Sequence, residues 1–111
     1  MSLITEKELI VGKEVTKIKS SPNLGLKEPP LFHVIYFNDD VTTVDFVILT
    51  LVDFFFHTDE TAKELTLKIH EEGQAIVATL PYEIAEQRGV EVTHLARTEG
   101  FPLSIKLEPA E

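Results

Sequence analysis

Residues 31–46, LFHVIYFNDDVTTVDF, constrain the fold more than any other stretch of this chain. Seven residues rich in aromatic and β-branched side chains read as a short buried strand, apolar on both faces. The run stops at Asn38-Asp39-Asp40, and helical spacing begins directly afterwards. Two carboxylates and an amide therefore stand where a buried strand meets a buried helix. Anionic groups in such a place are costly unless they are hydrogen-bonded or paired. The triplet must cap a helix, build a turn or receive a cation.

The rest of the chain follows from that junction. Thr42 reads as the cap of helix one, with Asp45 in the capping-box position. Phe46, Val47, Leu51, Phe54 and Phe55 then recur at helical spacing up to Phe56-His57. Thr58 is the next cap, with Asp59 and Glu60 in the first turn, where carboxylates suit the helix dipole. Ala62, Leu65 and Ile69 form the apolar stripe of helix two, and Gly73 terminates it. Residues 75–79 make strand two. Pro81 fits the first position of helix three, which runs to Ala96 with Gly89 as a weak spot in its middle. Gly100 ends that helix, and residues 103–107 alternate as strand three. The order β-α-α-β-α-β predicts an α+β sandwich: a three-stranded, mostly antiparallel sheet with three helices on one face.

At 111 residues the chain fits one domain plus a tail. Ser20-Ser21-Pro22-Asn23-Leu24-Gly25 and Pro29-Pro30 are turn and linker chemistry. Residues 1–29 therefore read as an extended, mostly mobile arm, and 30–111 as the core domain. Charge divides along the same line. Residues 1–30 hold four acids and five lysines; residues 31–111 hold fifteen acids and five Lys or Arg, a net of −10. A surface that acidic repels nucleic acid and anionic lipid and favours cationic partners. The absence of cysteine removes disulfides, thiol catalysis and Cys-ligated zinc. No apolar run approaches the ~20 residues of a membrane helix. No secretory signal is visible in MSLITEKELIV, so a soluble cytosolic protein is expected.

Three kinds of chemistry compete for the junction. For catalysis, adjacent Asp39 and Asp40 point in opposite directions on extended backbone and do not pair on one atom. No Ser-His-Asp arrangement or glycine-rich phosphate loop is present, so no catalytic residue is assigned. For a metal, His33, His57, His70 and His94 show no ligand spacing, and Asn-Asp-Asp lacks the alternation of a calcium loop. Neither a metal nor any other cofactor is expected. For an organic cation, an amide oxygen, a carboxylate and a neutral imidazole are good acceptors. His70 converges on the junction if helices one and two pack as a hairpin, giving a polar mouth for an amine above an apolar floor.

The segments FHVIYFNDDVTTVDFV, TAKELTLKIHEEGQAIV, PYEIAEQRG and FPLSIKLE together resemble the ClpS family of Clp protease adaptors over about residues 29–108. The resemblance implies a non-enzymatic adaptor. Such a protein binds substrates that begin with a free, bulky hydrophobic residue (Leu, Phe, Tyr or Trp) and delivers them to an AAA+ Clp unfoldase. It implies that Asn38, Asp39 and His70 bind the substrate's α-amine. Thr42, Val44, Val47, Thr66, Ile69 and Leu103 would line the side-chain pocket, with Asp40 at its rim. Glu83 and Arg88 would contact the N-terminal domain of a ClpA- or ClpC-type unfoldase, and the arm would engage it during delivery. A monomer in the bacterial cytoplasm is expected, with the plastid stroma as the other setting. The competing reading is a docking module of the same fold that has lost amine recognition; intact Asn38, Asp39 and His70 argue against it.

Two positions depart from the family pattern. Val44 stands where methionine is usual, and Thr66 where methionine or leucine is common. Both remove volume, and Thr66 adds a hydroxyl. The expectation is a roomier, slightly more polar pocket with an altered ranking of first residues and weaker exclusion of Ile and Val.

Overall fold

The computed structural model describes residues 28–111. The arm expected over residues 1–29 falls outside these, apart from Glu28 and Pro29. Six elements follow in the expected order: β1 (Leu31–Phe37), α1 (Val44–Phe55), α2 (Asp59–Glu72), β2 (Gln74–Pro81), α3 (Tyr82–Thr98) and β3 (Ser104–Pro109). The strands form one sheet, β2-β1-β3, and both pairings are antiparallel.

The apolar β1 sits in the middle because neither of its faces can be left in water. Val34 and Tyr36 point into the core with Ala75 and Val77 of β2, beneath Leu51, Ala62, Ala85, Val92 and Ala96 of the three helices. Ile35 is also buried, but on the other face, between Ile76 and Lys106 of its neighbours. Within the core the Tyr36 hydroxyl donates to Thr50 Oγ1 at 2.9 Å, while Thr50 Oγ1 donates to the Val47 carbonyl at 2.9 Å. No helix among the described residues is long and apolar enough to cross a membrane.

Helix ends account for most differences from the sequence reading. The cap of α1 is Thr43, whose hydroxyl accepts the Phe46 N–H at 3.2 Å; Thr42, expected there, is occupied elsewhere. Pro81 precedes α3 as its cap residue instead of starting it, since Pro81 is still paired with Leu31 in the ladder. Leu103, expected as the first residue of strand three, is buried just ahead of β3. Thr58 and Gly73 bound α2 as expected: the Thr58 hydroxyl accepts the Thr61 N–H at 3.1 Å, and Gly73 takes φ +88°. Gly89 lies inside α3, and no crowding requires a glycine there. A Cβ there would lie 3.8 Å from Ile105 Cγ2, an ordinary contact.

The end of α1 has a cost. Phe56 adopts φ +60°, a conformation disfavoured for a bulky side chain, and it is 75% exposed. His57 fixes this turn from both sides. Its N–H donates to the Leu51 carbonyl at 3.1 Å, and its Nε2–H donates to the Val77 carbonyl at 2.6 Å. Val77 lies at the register shift that separates the Val34–Ala78 pair from the Ile35–Ile76 pair.

Candidate functional site

The junction is built around Asp39. Its Oδ1 accepts the backbone N–H groups of Val41 and Thr42 at 2.8 and 2.7 Å, and its Oδ2 accepts the Thr42 hydroxyl at 2.7 Å. This side-chain turn reverses the chain between β1 and α1 and takes Thr42 out of the capping role. Burial alone would raise the Asp39 pKa. The bonds from the Thr42 N–H, the Thr42 hydroxyl and the Val41 N–H outweigh it, helped by the Arg97 charge, and the carboxyl is held below its usual range. Asp39 is thus ionised at neutral pH. Three of its roughly four lone-pair positions are used, leaving one on Oδ2 for a further donor.

Arg97 is positioned by the last turn of α3. Its Nη1 donates to the Phe101 and Leu103 carbonyls at 2.9 and 3.0 Å, tying the start of β3 to the helix. Asp40, by contrast, is exposed and lies four residues before the first residue of α1. The carboxylate in the first turn of α1 is that of Asp45, while Asp39 shapes the turn that leads into the helix.

The second half of the site comes from α2. The Asn38 N–H donates to the Gly73 carbonyl at 2.9 Å, which ties the end of β1 to the C-terminal cap of α2. His70 lies in the last turn of that helix and is therefore brought to the same end of the domain as Asn38 and Asp39. The hairpin packing on which that convergence depended is present: α1 and α2 form a cleft of about 440 Å³ between Val44 and Ile48 on one side and Lys63, Thr66, Leu67 and His70 on the other.

The cleft selects among the residues the sequence nominated. Val44, Thr66 and His70 line it. Val47, Ile69 and Leu103, expected in the pocket, are packed into the hydrophobic core. Thr42 is half-buried at the Asp39 turn. The Thr66 hydroxyl donates to the Ala62 carbonyl of its own helix at 2.7 Å. The extra polarity expected from Thr66 is therefore absorbed within α2. Ile48, Lys63 and Leu67 line the cleft without having been nominated; their positions one or two turns from Val44 and His70 were the available signal.

Glu83 and Arg88 occupy α3, away from the cleft-lining residues. Glu83 is exposed in the first turn. Arg88 is held by Glu91 at 3.5 Å and by the Phe56 ring, whose centroid is 5.5 Å from its guanidinium carbon.

A small α+β domain with an apolar cleft between two helices is suited to binding, and the class of protein its relatives define is that of an adaptor and not an enzyme. The chain belongs to the ClpS family: the family model described as "ATP-dependent Clp protease adaptor protein ClpS" matches residues 27–106. It is 35% identical over 96 residues to the Clp protease adapter protein ClpS of Acetivibrio thermocellus, covering 86% of this chain and 97% of that protein. It is 47% identical over 94 residues to the ClpS of Nautilia profundicola, covering 84% and 96%. The solved structure of Agrobacterium tumefaciens ClpS2 bound to L-phenylalaninamide superposes with a TM-score of 0.70 at 34% identity, covering 74% of this chain and 99% of that one. The partner of this adaptor family is the ATP-dependent Clp protease.

Proposed function

We propose that this chain binds proteins beginning with a free, bulky hydrophobic residue and delivers them to an AAA+ Clp unfoldase of the ClpA or ClpC type. The observation that supports this is the cleft between α1 and α2, which His70 lines, together with the bond from the Asn38 N–H to the Gly73 carbonyl three residues beyond His70; Asn38 and Asp39 do not themselves line the cleft. The phenylalaninamide on the related ClpS2 supports it, since that ligand presents a free α-amine beside an aromatic side chain. An α-amine has a reference pKa near ~8 and is mostly protonated at neutral pH. Hydrogen bonds to a charged group contribute roughly 1.5–3 kcal/mol each. Burying one large apolar side chain contributes about 1.5–3 kcal/mol more. After the cost of association, the result is an affinity on the order of micromolar.

Fluorescence polarisation tests this with a Phe-first peptide, its N-acetylated twin and a Gly-first control. Binding of the free Phe-first peptide alone is expected, because acetylation removes the charge and two donors. Equal binding of both Phe peptides returns the chain to the docking-module reading. Val44, 59% exposed at the mouth, leaves the pocket more open than methionine would. Val44→Met is expected to tighten exclusion of Ile- and Val-first peptides; an unchanged ranking removes that idea. In the same reading Glu83 and Arg88 meet the unfoldase, and the protein acts as a monomer in the bacterial cytoplasm. Charge reversal at both positions should abolish delivery and leave peptide binding intact.

A further inference from the structure

The turn after α1 calls for a residue with positive φ, and a glycine would meet that need without strain. The chain places a phenylalanine there instead, at φ +60° and with its ring in solvent. His57 accounts for the turn but not for the ring: its bonds to the Leu51 and Val77 carbonyls fix the backbone on either side and touch no atom of the Phe56 side chain. Strained backbone of this kind clusters at functional sites.

The ring belongs to a larger surface. It lies over the Arg88 guanidinium, 5.5 Å from its carbon. Ile84, 43% exposed, stands one helical turn before Arg88 and shares its face of α3. Phe56, Arg88 and Ile84 therefore run together across the end of α1 and the first half of α3, two exposed apolar side chains with a guanidinium between them. Arg88 meets Glu91 at 3.5 Å through one nitrogen, which leaves donors of its fork for an acceptor outside the domain. The cleft is elsewhere. It is lined from α1 and α2, beginning at Val44, the first residue of α1, whereas Phe56 is the C-terminal cap of that helix. The two stand about 18 Å apart along the axis. A protein seated on Phe56 leaves the cleft open, as an adaptor holding two partners at once requires.

We infer that Phe56 is the apolar anchor of the contact with the Clp unfoldase: its ring enters an apolar pocket on that partner, and Arg88 backs the ring and donates to a carboxylate or carbonyl at the pocket's rim. This rests on the proposed docking of the unfoldase at Glu83 and Arg88, with which the Phe56 ring is continuous. It supplies what those two residues lack. Exposed ion pairs contribute little, while buried aromatic and arginine side chains carry most of the binding energy of an interface.

The test measures binding of wild type, Phe56→Gly and Phe56→Tyr to the intact Clp unfoldase of the same organism by biolayer interferometry. Each sample also gives a thermal melt and a polarisation titration with a Phe-first peptide. Phe56→Gly should weaken unfoldase binding about thirtyfold or more, with a cooperative melt and unchanged peptide affinity. Phe56→Tyr should keep both affinities. A Phe56→Gly protein that binds the unfoldase within about a factor of two of wild type overturns the inference. So does an equal loss of peptide binding, which makes Phe56 a structural residue. A wild-type dimer in sedimentation that Phe56→Gly dissociates, with unfoldase binding unmoved, overturns it as well and assigns the ring to a second copy of the chain. In each case, loss of unfoldase binding on charge reversal of Glu83 and Arg88 keeps the docking reading standing. Failure of the wild type to bind the unfoldase overturns both.

Discussion

Asp39→Asn separates the two tasks of the Asp39 carboxylate. An asparagine oxygen placed at Oδ1 still accepts the Val41 and Thr42 N–H groups, now at 2.8 and 2.7 Å. The amide nitrogen at the position of Oδ2 cannot accept the Thr42 hydroxyl, which must turn and become the acceptor. The turn therefore survives with weaker, neutral bonds, since charge-assisted hydrogen bonds are about twice as strong as neutral ones. The larger effect is on the ligand. The lone pair left for an ammonium lies on Oδ2, and an amide nitrogen in that position cannot accept, so the whole charge-assisted bond of roughly 1.5–3 kcal/mol is lost. That corresponds to roughly a ten- to 150-fold rise in Kd for a Phe-first peptide. Polarisation titrations, with a circular-dichroism melt of the same sample, measure both effects. A folded Asp39→Asn protein that binds within a factor of two of wild type would refute the reasoning and leave Asp39 as a turn-former only. The pH dependence gives a second readout. The folded carboxyl titrates below its ordinary value, so its stabilisation is present above the unfolded aspartate pKa of ~3.9 and is lost as pH falls through the folded pKa. The stability gap between wild type and Asp39→Asn, measured by urea unfolding, should therefore be widest near neutral pH and shrink below about pH 4.

Three further substitutions follow from particular contacts. Gly89→Ala should stabilise the protein by about 0.5–1 kcal/mol, because α3 gains helix propensity and the new methyl meets Ile105 Cγ2 at an ordinary 3.8 Å; a lower melting temperature would show that α3 and β3 cannot accommodate it. Thr66→Val should leave the melting temperature within a few degrees and the peptide ranking unchanged, since the hydroxyl it removes serves only the Ala62 carbonyl of its own helix. At Phe56, glycine should prove more stable than alanine in thermal melts by about 1 kcal/mol. Both lose the ring over Arg88, but only glycine relieves the left-handed backbone at φ +60°; the reverse order would mean the turn is not strained.

Much of the fold was legible because local chemistry and burial agreed. The LFHVIYF run read as a strand apolar on both faces, and Thr58 and Gly73 bracket α2 through the hydroxyl bond of the one and the positive φ that the other adopts for want of a Cβ. The cap of α1 was not legible. Thr42 and Thr43 are chemically identical, and the choice fell to Thr43 only because Asp39 engages Thr42. The same holds for Pro81, whose ring suits a first helical turn, while cross-strand pairing with Leu31 keeps it in β2.

The sequence by itself determined the elements, their order and the polar triplet at the strand-to-helix junction, because strand and helix periods and turn chemistry are local properties. Tertiary structure decided what the triplet faces. Spacing marks Val47, Ile69 and Leu103 as buried, and all three pack in the core. Val44, Ile48, Lys63, Thr66, Leu67 and His70 line the cleft between the two helices. A periodic pattern says which side of a helix leaves water. It cannot say how α1 and α2 rotate against each other, and that rotation separates the buried core from the cleft walls.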